Sequence, residues 1–211
     1  MGRMTEEQLE HLIRASGAIL NEDSILVIGS QSILPWLMKF ASKNLENIPE
    51  VLVASTEADI IPVDNDPNKS DLIDGSIGEE SMFHKTFHVY AQGVSIETTK
   101  APVGWQSRCY PLVSARTNGV VGHCMHPADL FISKTIAGRE KDGPFLDAMI
   151  QFGLVRRPTV IHLVGKVPGL TDGQIVDLRA QIEARFRLHG KGAGPGDAEG
   201  PRVDRTRGTN S

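Results

Sequence analysis

The sequence predicts an α+β fold in which a β-sheet is flanked by helices and followed by a small helical subdomain. Up to about residue 123, short apolar runs typical of buried strands alternate with helical patterns, and from there to about residue 188 the patterns are helical. Residues 190–211 are rich in Gly, Arg and Asp and almost free of apolar side chains. We therefore expect an α/β core over 1–123, a helical subdomain over 124–188 packed on it, and a disordered tail over 189–211.

The composition is that of a globular chain without a membrane segment. Of its 211 residues, 40% are hydrophobic and 23% charged, and 22 Lys and Arg against 26 Asp and Glu give a net charge of −4. This charge argues against a protein whose main affinity is for a nucleic-acid backbone. No apolar run approaches the roughly 20 residues of a membrane span. Two cysteines, Cys109 and Cys124, make neither a disulfide framework nor a metal cluster, so we expect a cytoplasmic protein.

The first elements follow from capping signals and periodicity. Thr5 followed by Gln8 has the spacing of a capping box, and the pattern after it predicts a helix to about Gly17. The apolar run 25–28 predicts a buried strand that ends at Gly29. Residues 30–40 predict a helix, with Pro35 tolerated only in its first turn.

The middle of the chain predicts further strands. Residues 51–55 lead into a second strand over 58–63, and a polar loop over 64–69 precedes a short helix over 70–77. Residues 86–90 and 94–98 predict a hairpin around Gln92-Gly93, and residues 120–123 predict a last strand. Helices are then expected over 129–138, over 145–153 and from a cap at Thr171 to about Leu188.

A glycine and a serine stand where the first strand meets its helix. Gly29 would let a ligand approach the backbone closely, and Ser30 would begin a helix whose free N–H groups and dipole favour a phosphate. The alternative is that Gly29 only makes the turn and Ser30 only caps the helix.

Carboxylates on the following strands predict a metal site. Glu57 and Asp59 are two apart in a strand, so their side chains project from one face with Cα atoms about 6–7 Å apart. A divalent cation such as Mg²⁺ would relieve their repulsion. Glu97, on a later predicted strand, would complete three converging acids able to hold two cations for phosphoryl or nucleotidyl transfer. The alternatives are a solvated strand edge for the pair and an exposed strand position for Glu97.

A charged helix follows in the second half. Lys134, Arg139, Lys141 and Asp142 could bind the triphosphate of a nucleotide, with Asp129 capping the helix or orienting the lysine. The alternative is a solvated helix face with ordinary ion pairs. Trp105 and Arg108 could stack on a base or could pack in the core or a loop.

The order of these signals resembles a known superfamily. A strand, Gly-Ser and a helix, then Glu-x-Asp on a strand and a later lone Glu, resemble the nucleotidyltransferase superfamily that includes DNA polymerase β. The run from Asp129-Leu-x-x-x-Lys134 to Arg139-x-x-Asp142 is similar to the helical part of bacterial abortive-infection-type nucleotidyltransferases and their small uncharacterised relatives. The resemblance spans roughly residues 24 to 153 and implies a mixed sheet.

The resemblance also implies roles for individual residues. Gly29 and Ser30 would hold the β- and γ-phosphates, and Lys134 would contact the triphosphate. Arg139 or Asp142 would orient that lysine. Glu57 and Asp59 would bind both metals, and Glu97 would bind the one that activates the acceptor. Mg²⁺, or alternatively Mn²⁺, would be the cofactor.

Two functions from different classes follow. The chain would be a metal-dependent nucleotidyltransferase that moves an NMP from an NTP to a hydroxyl or phosphate of a tRNA, a protein or a small molecule, releasing pyrophosphate. It would alternatively be a catalytically inactive module that binds a nucleotide or a protein. The relatives imply a toxin–antitoxin setting, with a cognate antitoxin or another protein as partner. The lack of a long apolar run predicts no membrane association.

Overall fold

The computed structural model describes residues 3–40 and 48–190, and in this part of the chain the fold is α+β. The strands are β1 Ser24–Ile28, β2 Glu57–Pro62, β3 Tyr90–Gly93, β4 Tyr110–Leu112 and β5 Val121–Cys124. The helices are α1 Glu6–Leu20, α2 Leu34–Phe40, α3 Pro67–Ile77, α4 Met82–Phe87, α5 Pro127–Ala137, α6 Gly143–Gln151, α7 Arg157–Val164 and α8 Asp172–His189.

The five strands form one mixed sheet in the order β3-β2-β1-β5-β4. The central strand β1 pairs antiparallel with β2 and parallel with β5. On either side, β3 runs parallel to β2 and β4 runs antiparallel to β5. This pairing brings the end of β1 beside the middle of β2, where Ile28 lies opposite Asp59.

The elements at the start of the chain confirm the predictions made from capping and periodicity. Thr5 and Gln8 form a capping box at α1, which continues three residues beyond Gly17 to Leu20. In β1 every residue after Ser24 is buried. The helix predicted over 30–40 has two parts, a 3₁₀ turn over Ser30–Ile33 and then α2, whose first turn contains Pro35.

The predicted hairpin around Gln92-Gly93 is wrong. Residues Met82–Phe87 form helix α4, capped by Ser81, and Tyr90–Gly93 form a single strand. The second arm of the expected hairpin contains a 3₁₀ turn over Ile96–Thr98. Strand β3 pairs with β2, and helices α3 and α4 lie between these two strands in the sequence. The partner of β3 is therefore not joined to it by a short turn.

Three further elements were not predicted as such. Strand β4 is three residues long and contains Pro111, which is tolerated because β4 is an edge strand. Helix α7 begins at Arg157, with Arg156 as its N-cap and Pro158 in its first turn. Residues Glu50–Leu52 form a 3₁₀ turn rather than the beginning of a strand.

Both halves of the chain contribute to one core. Buried apolar residues from Met4 in the first half to Ile182 in α8 belong to a single cluster, in which Phe131 is fully buried. Within residues 3–40 and 48–190, no helix combines the length and apolar character needed to span a bilayer. The predicted tail lies, beyond Gly190, outside the described residues.

Candidate functional site

A cavity of about 770 Å³ lies between the sheet and the second half of the chain. This volume falls in the range typical of small-molecule and cofactor sites. Of the eight side chains or glycines predicted as site residues, all but Glu97 line it: Gly29, Ser30, Glu57, Asp59, Lys134, Arg139 and Asp142. The topology therefore brings together residues that are more than 100 positions apart in sequence.

The acid pair faces the cavity because of the alternation of β2. Glu57 and Asp59 are partly exposed, whereas Ala58 and Ile60 are buried on the opposite face of the sheet. The hydroxyl of Tyr90, on β3, donates a hydrogen bond of 2.7 Å to Oε2 of Glu57. This bond holds one carboxylate at a defined place in the cavity wall.

The environment of Asp59 favours its protonated form. Burial, followed by the hydrogen bond and the negative charge of Glu57, raises the pKa of Asp59 to about 7, against the opposing charges of Lys134 and Arg139. Two adjacent carboxylates in a partly buried wall are hard oxygen ligands whose repulsion a cation removes. The donor set therefore fits a divalent cation.

Gly29 is required by both its backbone and its neighbour. Its φ of 66° and ψ of −168° lie in a region that is almost exclusive to glycine. A Cβ added at this position would stand 1.8 Å from Oδ2 of Asp59. A glycine at position 29 is therefore needed for the end of β1 to lie this close to Asp59.

Opposite the acid pair, two cations share one carboxylate. Nζ of Lys134 donates to Oδ1 of Asp142 at 2.7 Å, and Nε of Arg139 donates to Oδ2 at 2.9 Å. The side chains of Lys134 and Asp142 are only 8% and 7% exposed, whereas Arg139 is 56% exposed. Burial raises the pKa of Asp142, but the hydrogen bonds and charges of its partners outweigh this effect and lower it overall.

Lys134 is held from a second direction as well. Its ammonium lies 4.9 Å from the centre of the Phe145 ring, on α6, in a cation–π contact. The lysine is thus fixed by α6 and by the turn that precedes it. A phosphate in the cavity would meet a preorganised ammonium and the exposed guanidinium of Arg139.

Glu97 does not join the acid pair. It lies in a 3₁₀ turn instead of a strand, and its carboxylate accepts hydrogen bonds from Nδ2 of Asn65, at 3.1 Å, and from the hydroxyl of Ser95. Asn65 follows the C-terminal end of β2, whereas Glu57 begins that strand. In the part of the chain that the structure describes, no group of three or more His, Cys, Asp or Glu could hold a metal ion.

Three other candidates have structural roles. The N-cap of α5 is His126 and not Asp129, whose buried carboxylate accepts two hydrogen bonds, at 2.9 and 2.7 Å, from Arg108. Trp105 belongs to the buried core. Arg108 also donates to the carbonyls of Pro102 and Val103, so it ties this loop to α5.

Several cavity residues were missed by the sequence analysis. Gln92 lines the wall beside Asp59, and Lys100 lies at the cavity as a further cation. The sequence predicts Tyr90 in a hairpin, whereas it lies in β3, which pairs with β2. Its contact with Glu57 was therefore not predicted. The available signal was the alternation Tyr90-x-Gln92, which puts these two residues on one face of a strand.

No family model, curated protein or solved structure matches this chain in comparisons with known proteins. The resemblance to nucleotidyltransferases therefore rests on the sequence motifs alone.

Proposed function

We propose that the chain has a nucleotidyltransferase-like fold and is a metal-dependent nucleotidyltransferase. An acceptor oxygen would form a bond to the α-phosphorus of an NTP while the bond to the β-phosphate oxygen breaks. Pyrophosphate would leave, and a hydroxyl acceptor would release its proton. The observation that carries this proposal is the position of the acid pair and the Lys134–Asp142–Arg139 cluster on the walls of one cavity.

The residues divide into two groups by charge. Glu57 and Asp59 would hold Mg²⁺ or Mn²⁺, which when bound supplies compensation for the negative charge of the phosphates. Lys134 and Arg139 would contact the triphosphate, and Asp142 would orient both through its two oxygens. Gly29 and Ser30 line the same cavity and would approach the phosphates with their backbone.

For the acceptor, we propose only a chemical class, which is a hydroxyl or phosphate on an RNA, a protein or a small molecule. A role as a toxin controlled by a cognate antitoxin follows from the resemblance alone, and a cytoplasmic location follows from the two cysteines. Lys100 and Lys141 lie at the cavity beside the cluster and add positive charge for an anionic substrate.

A second candidate is a module that binds the nucleotide without transferring it. The observation in its favour is the position of Glu97, whose carboxylate contacts Asn65 and Ser95 instead of the acid pair. The two functions share the binding step and differ in turnover.

The discriminating experiment combines calorimetry with turnover of an α-labelled NTP. We expect NTP binding that requires Mg²⁺ and is lost in Glu57→Gln, with Glu97→Gln as the matched control that retains it. Transfer of label to an acceptor, abolished by the same variant, supports the enzyme. Metal-dependent binding without transfer to any of a panel of RNA, protein and small-molecule acceptors supports the module. Absence of binding contradicts both.

A further inference from the structure

We propose that this site takes a single divalent cation with its nucleotide, and that Gln92 stands where a second cation would need a third carboxylate. The inference rests on the proposed function and adds the stoichiometry of the metal and the residue that sets it.

The register of the sheet identifies Gln92. In the parallel pairing of β2 with β3, Glu57 lies beside Tyr90 and Asp59 lies beside Gln92. Adjacent strands are about 4.8 Å apart, and paired residues project from the same face. Contacts follow this register, since the Tyr90 hydroxyl binds Glu57 and Gln92 lines the cavity together with both acids.

An amide at this position changes what the cavity can hold. Glutamine offers one neutral oxygen and carries no negative charge, whereas carboxylates are the ligands that bring charge to a cation site. Glu97 does not replace it, because its carboxylate is hydrogen bonded to Asn65 and Ser95. The protein therefore brings two carboxylates to this wall of the cavity, Glu57 and Asp59, and not the three that would hold two cations.

The opposite wall disfavours a second cation as well. Lys134 and Arg139 line the same cavity as Glu57 and Asp59. A dication added on this side of the acid pair would meet their repulsion. The two side chains thus provide the positive charge toward the phosphates that a second cation would otherwise bring.

The test is the number of Mn²⁺ ions bound per bound nucleotide, measured by equilibrium dialysis of the full chain with a non-hydrolysable NTP analogue. We expect a ratio of one in the wild type and of two in Gln92→Glu, a twofold rise. Gln92→Asp, with a shorter side chain, provides a second variant in case Gln92→Glu disturbs folding. Circular dichroism checks that both variants fold. Glu97→Gln is the matched control, with an expected ratio of one.

The outcomes separate the two proposals. A ratio of two in the wild type overturns the single-cation inference and leaves the nucleotidyltransferase proposal standing. A ratio of one in both folded Gln92 variants overturns the role given to Gln92. Failure of the wild type to bind nucleotide with Mn²⁺ overturns the inference and the proposed function together.

Discussion

At the residue scale, Gly29 and Asp59 constrain each other. Any other residue at position 29 places a Cβ against the Asp59 carboxylate and also strains the backbone. We expect Gly29→Ala to lower the free energy of unfolding by about 2–4 kcal/mol, because the strain and the clash add. Urea denaturation measures the loss.

Gly119→Ala is the matched control for this effect. Gly119 also has a positive φ, of 86°, but nothing lies within 4 Å of its added Cβ. Only the backbone cost, about 1 kcal/mol, remains there. Equal losses in the two variants would show that Asp59 does not press against Gly29.

His126 makes the stability depend on pH. Its Nδ1 accepts the N–H of Ala128 at the start of α5, which requires an unprotonated nitrogen. Burial, with the charges of Arg108 and Arg156, lowers the pKa of His126 from 6.5 to about 4. In the unfolded chain the histidine takes up its proton near pH 6.5, so wild-type stability falls as the pH falls from about 6.5 to 4.

His126→Asn removes this titration and keeps a capping oxygen. Between pH 7.5 and pH 5 we expect the wild type to lose about 2 kcal/mol more than the variant in chemical denaturation. The difference between the two proteins cancels the titration of groups that they share. Parallel losses over this range would mean that His126 accepts a proton in the folded state.

At the scale of single residues, most of the candidate site was predictable, because its acidic and basic residues occur at spacings that suggest a shared strand face or a shared helix. Glu57 and Asp59 are two apart on a strand, and Lys134 and Asp142 occur eight residues apart around the end of α5. Glu97 was not predictable in this way. Its side chain is held by Asn65, 32 positions earlier, and local periodicity carries no information on such a contact.

At the element scale, Asp142 joins the end of α5 to the beginning of α6. Lys134 is buried and depends on this carboxylate for its charge partner. We expect Asp142→Asn to cost about 2–4 kcal/mol of unfolding free energy, because a buried ammonium loses its counter-charge. Thermal and urea denaturation measure the change.

Asp147→Asn provides the comparison. Asp147 pairs with Arg185 between α6 and α8, and both side chains are partly exposed, so its loss should cost less than about 1 kcal/mol. If the two substitutions proved equally mild, Lys134 would have to be solvated or neutral in the folded protein.

The hairpin error also belongs to the element scale. The residues around Gln92-Gly93 have the local signature of a turn, and Gly93 does end β3. What local pattern could not reveal is that β3 pairs in parallel with β2 across the two intervening helices. Helices α1 and α8 were predictable because the caps at Thr5 and Thr171 are local signals, and α5 and α6 were predictable from their local apolar patterns.

At the scale of the whole molecule, the shared core makes folding a single event. Buried residues of the sheet and of α5, α6, α7 and α8 belong to one cluster. We expect one unfolding transition, since neither half retains its core without the other. Both tryptophans, Trp36 and Trp105, lie in the first half, so their fluorescence and the helical signal at 222 nm should change together. Two separate midpoints would contradict a common core.

The cavity is itself a product of this arrangement, because its acids come from the sheet and its cations come from α5 and the turn after it. The most direct measurement is anomalous diffraction from crystals grown with Mn²⁺ and a non-hydrolysable NTP analogue. We expect a manganese peak about 2.2 Å from carboxylate oxygens of Glu57 and Asp59, with the triphosphate against Lys134 and Arg139. Manganese and nucleotide bound elsewhere on the protein, with this cavity empty, would contradict the account.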